Sequence, residues 1–164
     1  PDHSGPEAFL ESFVKTIQKG GEGQYPNFYL KSMDFNHTAE GGQMAVNRFT
    51  GAVRQNFMRS CGTLASLIKG KKVKVEKVQL AQGNPRVVSF LKNVETSYSG
   101  VKVHISTESD PIILLIDELV KVKDKWRMTT FMVIVDQGSM KLEPKTIEIE
   151  QPEEEEEESP EEIQ

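Results

Sequence analysis

Hydrophobic positions along this chain change their period once. In the first half they recur every three or four residues, and from Lys71 onward they alternate. Phe9, Leu10, Phe13, Val14 and Ile17 form one helical stripe. Ser4 and Glu7 stand three apart ahead of it, the spacing of a capping box, and Gly20-Gly21 stops it. Residues 22–30 cluster Tyr25, Phe28 and Tyr29 around Pro26, which predicts a turn or a short second helix. Met33 and Phe35 alternate with Asp34 and Asn36, which predicts a brief strand over 32–37. After Gly41-Gly42, Val46, Phe49, Val53 and Phe57 recur at helical spacing, predicting a helix that ends near 59–62. Leu64, Ala65, Leu67 and Ile68 then either add a helical turn or open a strand.

The second half reads as strands. Val73 and Val75 alternate with Lys74 and Glu76, and the alternation resumes one residue out of phase at Val78 and Leu80, a bulge signal near Lys77. Gly83-Asn84-Pro85 predicts a turn, residues 87–96 a strand, and Ser97-Tyr98-Ser99-Gly100 another turn before a strand through Val101, Val103 and Ile105. Asp110-Pro111 turns the chain into Ile112–Val122, apolar enough for the centre of a sheet. Lys123-Asp124-Lys125 returns it along 126–135. Strands joined by short turns, with no crossover helix, make an antiparallel meander. Helices first and strands second predict an α+β domain, with N-terminal helices packed on the meander sheet.

The sequence has 164 residues, room for one domain. Its net charge of -5 conceals an uneven distribution. The last fifteen residues carry nine of the 25 acids and none of the 20 bases, so the rest is mildly basic. We therefore expect one α+β domain over 1–140, an extra edge strand over 141–150 (Ile147 and Ile149 alternate with Glu), and a disordered acidic tail over 151–164. No apolar run is long enough to span a bilayer. One cysteine, Cys61, excludes a disulfide framework, and no cofactor motif is present. The chain opens Pro1-Asp2-His3 without an initiator methionine, as a processed chain or one trimmed for expression does, and a removed signal peptide is compatible with it. The lone thiol and poly-Glu tail suit the cytosol or nucleus, whereas Asn36-His37-Thr38 would accept a glycan in a secreted protein.

The order of elements, the Phe9–Ile17 helix followed by Phe28-Tyr29, the Gly-Gly before the Val46–Phe57 helix, and the closing hairpin with Lys125-Trp126 after its turn resemble the nuclear transport factor 2-like superfamily over residues 6–136. A cystatin-like arrangement has similar elements. The resemblance implies a strongly curved, cone-like sheet around the helices. Members of that superfamily are either small-molecule enzymes or non-catalytic binding modules, and fold alone does not choose between them.

An enzyme of this kind needs a base in the cone. Tyr29, Asp34 and His37 near the first short strand, and Asp117 in the central strand, are the pocket candidates; Asp117 would be buried if it shares the inner face. They could instead be structural, with Asp117 or Glu118 pairing a cation across the sheet. Lys69, Lys71, Lys72, Lys74 and Lys77 form a basic run suited to nucleic acid, but without aromatics for stacking, and a lysine-guarded edge strand explains it equally. The acidic tail serves solubility, a basic partner, or cover for that run. The reading favoured is a non-catalytic interaction module, a homodimer or half of a heterodimer, binding through an outer sheet face marked by Phe131 and Val133. The alternatives are a pocket for a small apolar ligand, with or without lyase or isomerase chemistry, and an RNA-associated adaptor using the lysines.

Overall fold

The structure, a computed structural model, describes residues 1–35, 42–81 and 94–136. Two α-helices, α1 (Pro6–Gln18) and α2 (Gly42–Ile68), and two 3-10 helices (Glu22–Asn27 and Ser32–Asp34) precede five strands. These are β1 (Lys74–Gln79), β2 (Val94–Ser106), β3 (Ile112–Val122), β4 (Lys125–Met128) and β5 (Phe131–Val135), and every strand pairing is antiparallel. The α+β class follows directly.

Local chemistry departs from expectation in four places. Gly5, not Ser4, caps α1, because Pro6 occupies the first helical position, where a missing N–H costs nothing. The Ser4 hydroxyl donates instead to Asp2 at 2.6 Å, so no capping box forms. Ser32–Asp34 is a 3-10 turn rather than a strand: the Asp34 carboxylate accepts the Lys31 N–H at 2.9 Å and folds the chain back. The second helix runs on to Ile68 instead of ending near 59–62, since Leu64 and Ile68 continue the buried stripe of Val53, Phe57 and Cys61. Residues 97–100 do not turn. Ser97, Tyr98 and Ser99 pair with Val120, Leu119 and Glu118, and Gly100, at φ +65°, carries β2 onward. The irregularity foreseen near Lys77 is present, as a register shift between Val75 and Lys77. The turn at 83–85, His37, the sequon, the 141–150 strand and the acidic tail lie outside the described residues.

β3 is the centre of the sheet. β2 flanks it on one side, with β1 beyond. On the other side β5 covers its first half and β4 its second. Thr129-Thr130 forms the step between β4 and β5, where the Thr129 N–H donates to Glu118 and Thr130 accepts from the Asp117 N–H. Beyond β4, Phe28–Leu30 lies alongside Met128 and exchanges two backbone hydrogen bonds with it. The two-residue turn Lys123-Asp124 has both φ angles positive (53° and 62°), the handedness that matches a twisted hairpin.

The helices cover one sheet face. Phe13 of α1, Phe57 of α2 and Phe131 of β5 meet pairwise with ring centroids 5.4–5.5 Å apart. Val101, Val103, Ile105, Ile112, Leu114 and Ile116 floor that cluster, all buried. A smaller cluster joins Leu30, Phe35 and Val46 to Val120 and Val122 at the far end of β3. Among the described residues no helix is long and apolar enough to cross a membrane.

Position 131 therefore belongs to the core and its neighbour does not. Phe131→Ala will cost about 3–5 kcal/mol in urea unfolding, and Met132→Ala will change it by less than about 0.5 kcal/mol; equal losses at the two positions would disprove the assigned facing of β5.

Candidate interaction surface

Residues of successive strands align in rows across the sheet. Val75, Val78, Val103, Ile105, Leu114 and Phe131 point to the helices. The opposite face begins one residue along. One of its rows reads Lys77, His104, Ile113, Ile134, and the next Gln79, Lys102, Leu115, Met132. With strands about 4.8 Å apart, each row spans about 14 Å. The β1–β2 half of this face is polar and basic, the β3–β5 half apolar. Met132 is 59% exposed and Ile134 39%. His104 Nε2 meets the Gln79 side chain at 2.6 Å, tying the polar half together.

This corrects one expectation. Phe131 and Val133 do not face outward: Phe131 is buried against Phe13 and Phe57, and Val133 packs on the same cluster. β5 enters one residue out of phase with the sequence reading, so Met132 and Ile134 are its outward positions.

The pocket candidates do not converge. Tyr29 is buried with its ring 5.2 Å from Phe57. Asp34 is buried and bound to Arg127, Oδ2 to Nε at 3.4 Å, while Arg127 Nη1 donates to the carbonyls of Asn27 and Trp126 at 3.0 and 3.1 Å. A carboxylate held by a guanidinium and a backbone N–H is a structural clasp between the 3-10 turn and β4. Asp117 is exposed, and Glu118 is the buried acid of β3. Burial alternates along Ile112, Leu114 and Ile116 but becomes continuous over Glu118, Leu119 and Val120, where cover comes from both sides. Among the described residues no three His, Cys, Asp or Glu side chains gather as a metal site.

The lysines split into two groups. Lys69, Lys71 and Lys72 surround the α2–β1 turn, with the Lys69 stem lying across Gly20, whose φ of +75° and missing Cβ admit it. Lys74 and Lys77 lie on the outer side of edge strand β1, opposite Ser106 and His104. Cys61 is fully buried, and burial pushes its thiol up to about 12, far from a nucleophile at neutral pH. Near the N-terminus, His3 stacks on Phe9 and its Nδ1 accepts the Trp126 N–H at 3.0 Å. Burial and then Arg127 hold this imidazole below its usual value, favouring the neutral acceptor form. Sequence pattern had not singled out Met132, Ile134, His3 or the Asp34–Arg127 pair: each depends on strand phase or on a contact between distant residues.

Comparison of the chain with protein-family models, with curated proteins and with solved structures found no match.

Two outcomes follow from the buried groups. Removing one partner of the Asp34–Arg127 pair, as in Arg127→Met, will cost about 3–5 kcal/mol, and adding Asp34→Leu will recover part of it; additive losses in urea unfolding would show the pair uncoupled. The thiol of Cys61 titrates near 9 when unfolded and near 12 when folded, so the unfolded state binds fewer protons between those values. Its contribution is full below about pH 9 and falls as pH rises toward 12, by at most about 4 kcal/mol. The stability advantage of the native chain over Cys61→Ala will therefore shrink between pH 8 and pH 10.5; a constant difference would contradict the buried thiol.

Proposed function

We propose that the chain is a non-catalytic interaction module of the nuclear transport factor 2-like kind, with a curved sheet around its helices, and that it pairs with a second copy of itself through the outer sheet face. The observation that carries this is the apolar half of that face: Ile113 and Leu115 of β3 beside the exposed Met132 and Ile134 of β5. Water-facing strands ordinarily alternate apolar-in and polar-out, and here the alternation fails on two adjoining strands at once. A two-fold interface brings the same patch from each copy together. A compact apolar strip meets that requirement, with Lys77 and Lys102 left at a wet rim.

The chemistry of the candidate acids favours this reading over catalysis. Asp34 is committed to Arg127 and Lys31, and Asp117 lies at the surface. The large aromatics Phe9, Phe13, Phe57 and Phe131 occupy the space between helices and sheet, where an apolar ligand would lie. The lysines suit an RNA-associated role less well, being divided between a turn and a strand edge. In this reading the poly-Glu tail keeps the chain soluble or meets a basic partner.

Sedimentation of the full chain tests the assignment. The native chain is expected as a dimer, and Met132→Glu with Ile134→Glu as a folded monomer, since charge forced into an apolar contact costs about 2–5 kcal/mol. Met33→Glu and Met44→Glu, at residues 72% and 75% exposed elsewhere on the molecule, should leave the dimer intact. A native chain that stays monomeric across the micromolar range rejects the second copy; one defined protein co-purifying with it, and released by the same double variant, would assign the face to a different partner.

A further inference from the structure

Away from the sheet face, a surface cleft of about 350 Å³ opens between residues 29–32 and the first half of α2. Among the described residues its lining includes Lys31 and Arg54, and no carboxylate. Lys31 Nζ sits 5.5 Å over the Tyr29 ring and donates one proton to the Pro26 carbonyl, which leaves two. Arg54 makes no hydrogen bond or ion pair among the described residues. Asn47 accepts from Gln43 through its Oδ1 at 2.9 Å, so its amide protons remain to donate. The Thr50 hydroxyl proton is spent on the Val46 carbonyl and adds nothing.

The carboxylate of Asp34, three residues from Lys31, is engaged by the Lys31 backbone and by Arg127. The Lys31 ammonium is held below the ordinary lysine value, first by burial and then by Arg127, with Asp34 pulling the other way. The cleft thus brings two cationic side chains together with the amide protons of Asn47.

Gly51 lines the same cleft. It lies mid-helix with no positive φ, and a Cβ added there would meet nothing within 4 Å. Neither backbone geometry nor a packed neighbour requires glycine, which after proline is the least favourable residue in a helix interior. Its bare backbone leaves the floor of the cleft open.

We propose that this cleft binds a small molecule through a compact oxyanion, a phosphate monoester or a carboxylate, held between Lys31 and the fork of Arg54 over Gly51. Amide NMR of the full chain, titrated with inorganic phosphate and separately with acetate at an ionic strength fixed by sodium chloride, tests it. Saturable shifts confined to residues 29–32 and 47–54 are expected. A tighter response to phosphate assigns a phosphate ligand, and to acetate a carboxylate one. Arg54→Gln should weaken binding about tenfold. Gly51→Leu should abolish it while raising Tm by about 2–4 °C, which separates occlusion from misfolding, and Gly51→Ala should retain it. Shifts that never saturate, that spread equally over Lys69–Lys77, or that persist unchanged in Arg54→Gln would overturn the proposal.

Discussion

The meeting of Phe13, Phe57 and Phe131 is the contact on which the rest of the molecule depends. These rings come from α1, α2 and β5, elements separated by most of the chain. Without them the helices would have no common anchor on the sheet, and tilted aromatic contacts contribute beyond the area they bury. The cluster also sets orientation. With Phe131 turned inward, the pleat sends Met132 and Ile134 outward, so the composition of the exposed face follows from the packing of the hidden one.

A second, smaller constraint governs the other end of β3. There the inner side chains are Val120 and Val122, and their cover is Leu30, Phe35 and Val46. Residues 28–35 must stay close to β4 for this to work. Two devices hold them: the backbone exchange between Phe28–Leu30 and Met128, and the Asp34–Arg127 clasp. Asp34, one of the residues that the sequence offers for catalysis, is consumed in that task. A buried ion pair contributes little net stability, but either member alone is costly. Its role here is to specify where a short, irregular segment docks.

Much of this was legible beforehand. Period changes located α1, α2 and the boundaries of β3, because amphipathic spacing reflects burial on one face. The bulge in β1 was visible as a one-residue slip in alternation. Failures cluster where local chemistry and tertiary contacts disagree. Ser97-Tyr98-Ser99-Gly100 has turn composition, yet pairing with β3 keeps it extended. Met33 and Phe35 alternate as in a strand, yet the Asp34 carboxylate bends them into a 3-10 turn. The outward phase of β5 follows from its pairing with β3, which keeps the register of β4 across Thr129-Thr130 (Leu119 opposite Met128, Ile116 opposite Phe131), and no residue type announces that pairing. The clasp joins residues 93 positions apart, beyond the reach of any spacing rule.

Residues that the fold uses explain themselves: Phe57 fills the core, Gly20 admits the Lys69 stem, and Gly100 takes a left-handed turn of backbone inside a strand. The informative positions are those the fold does not use and would do better without. Exposed apolar side chains at Met132 and Ile134 add aggregation risk and contribute nothing to the core. Gly51 weakens α2 without relieving any contact. Arg54 and Lys31 concentrate charge on a cleft that has no acid among its described lining residues. The apolar strip lies on the sheet and the cationic cleft lies on the helices, so the two features do not share residues. Two connections nevertheless join them: α2 lines the cleft at Gly51 and Arg54 and donates from Ser60 to the backbone of β5, and residues 28–30, at the cleft's other wall, exchange backbone hydrogen bonds with Met128 of β4.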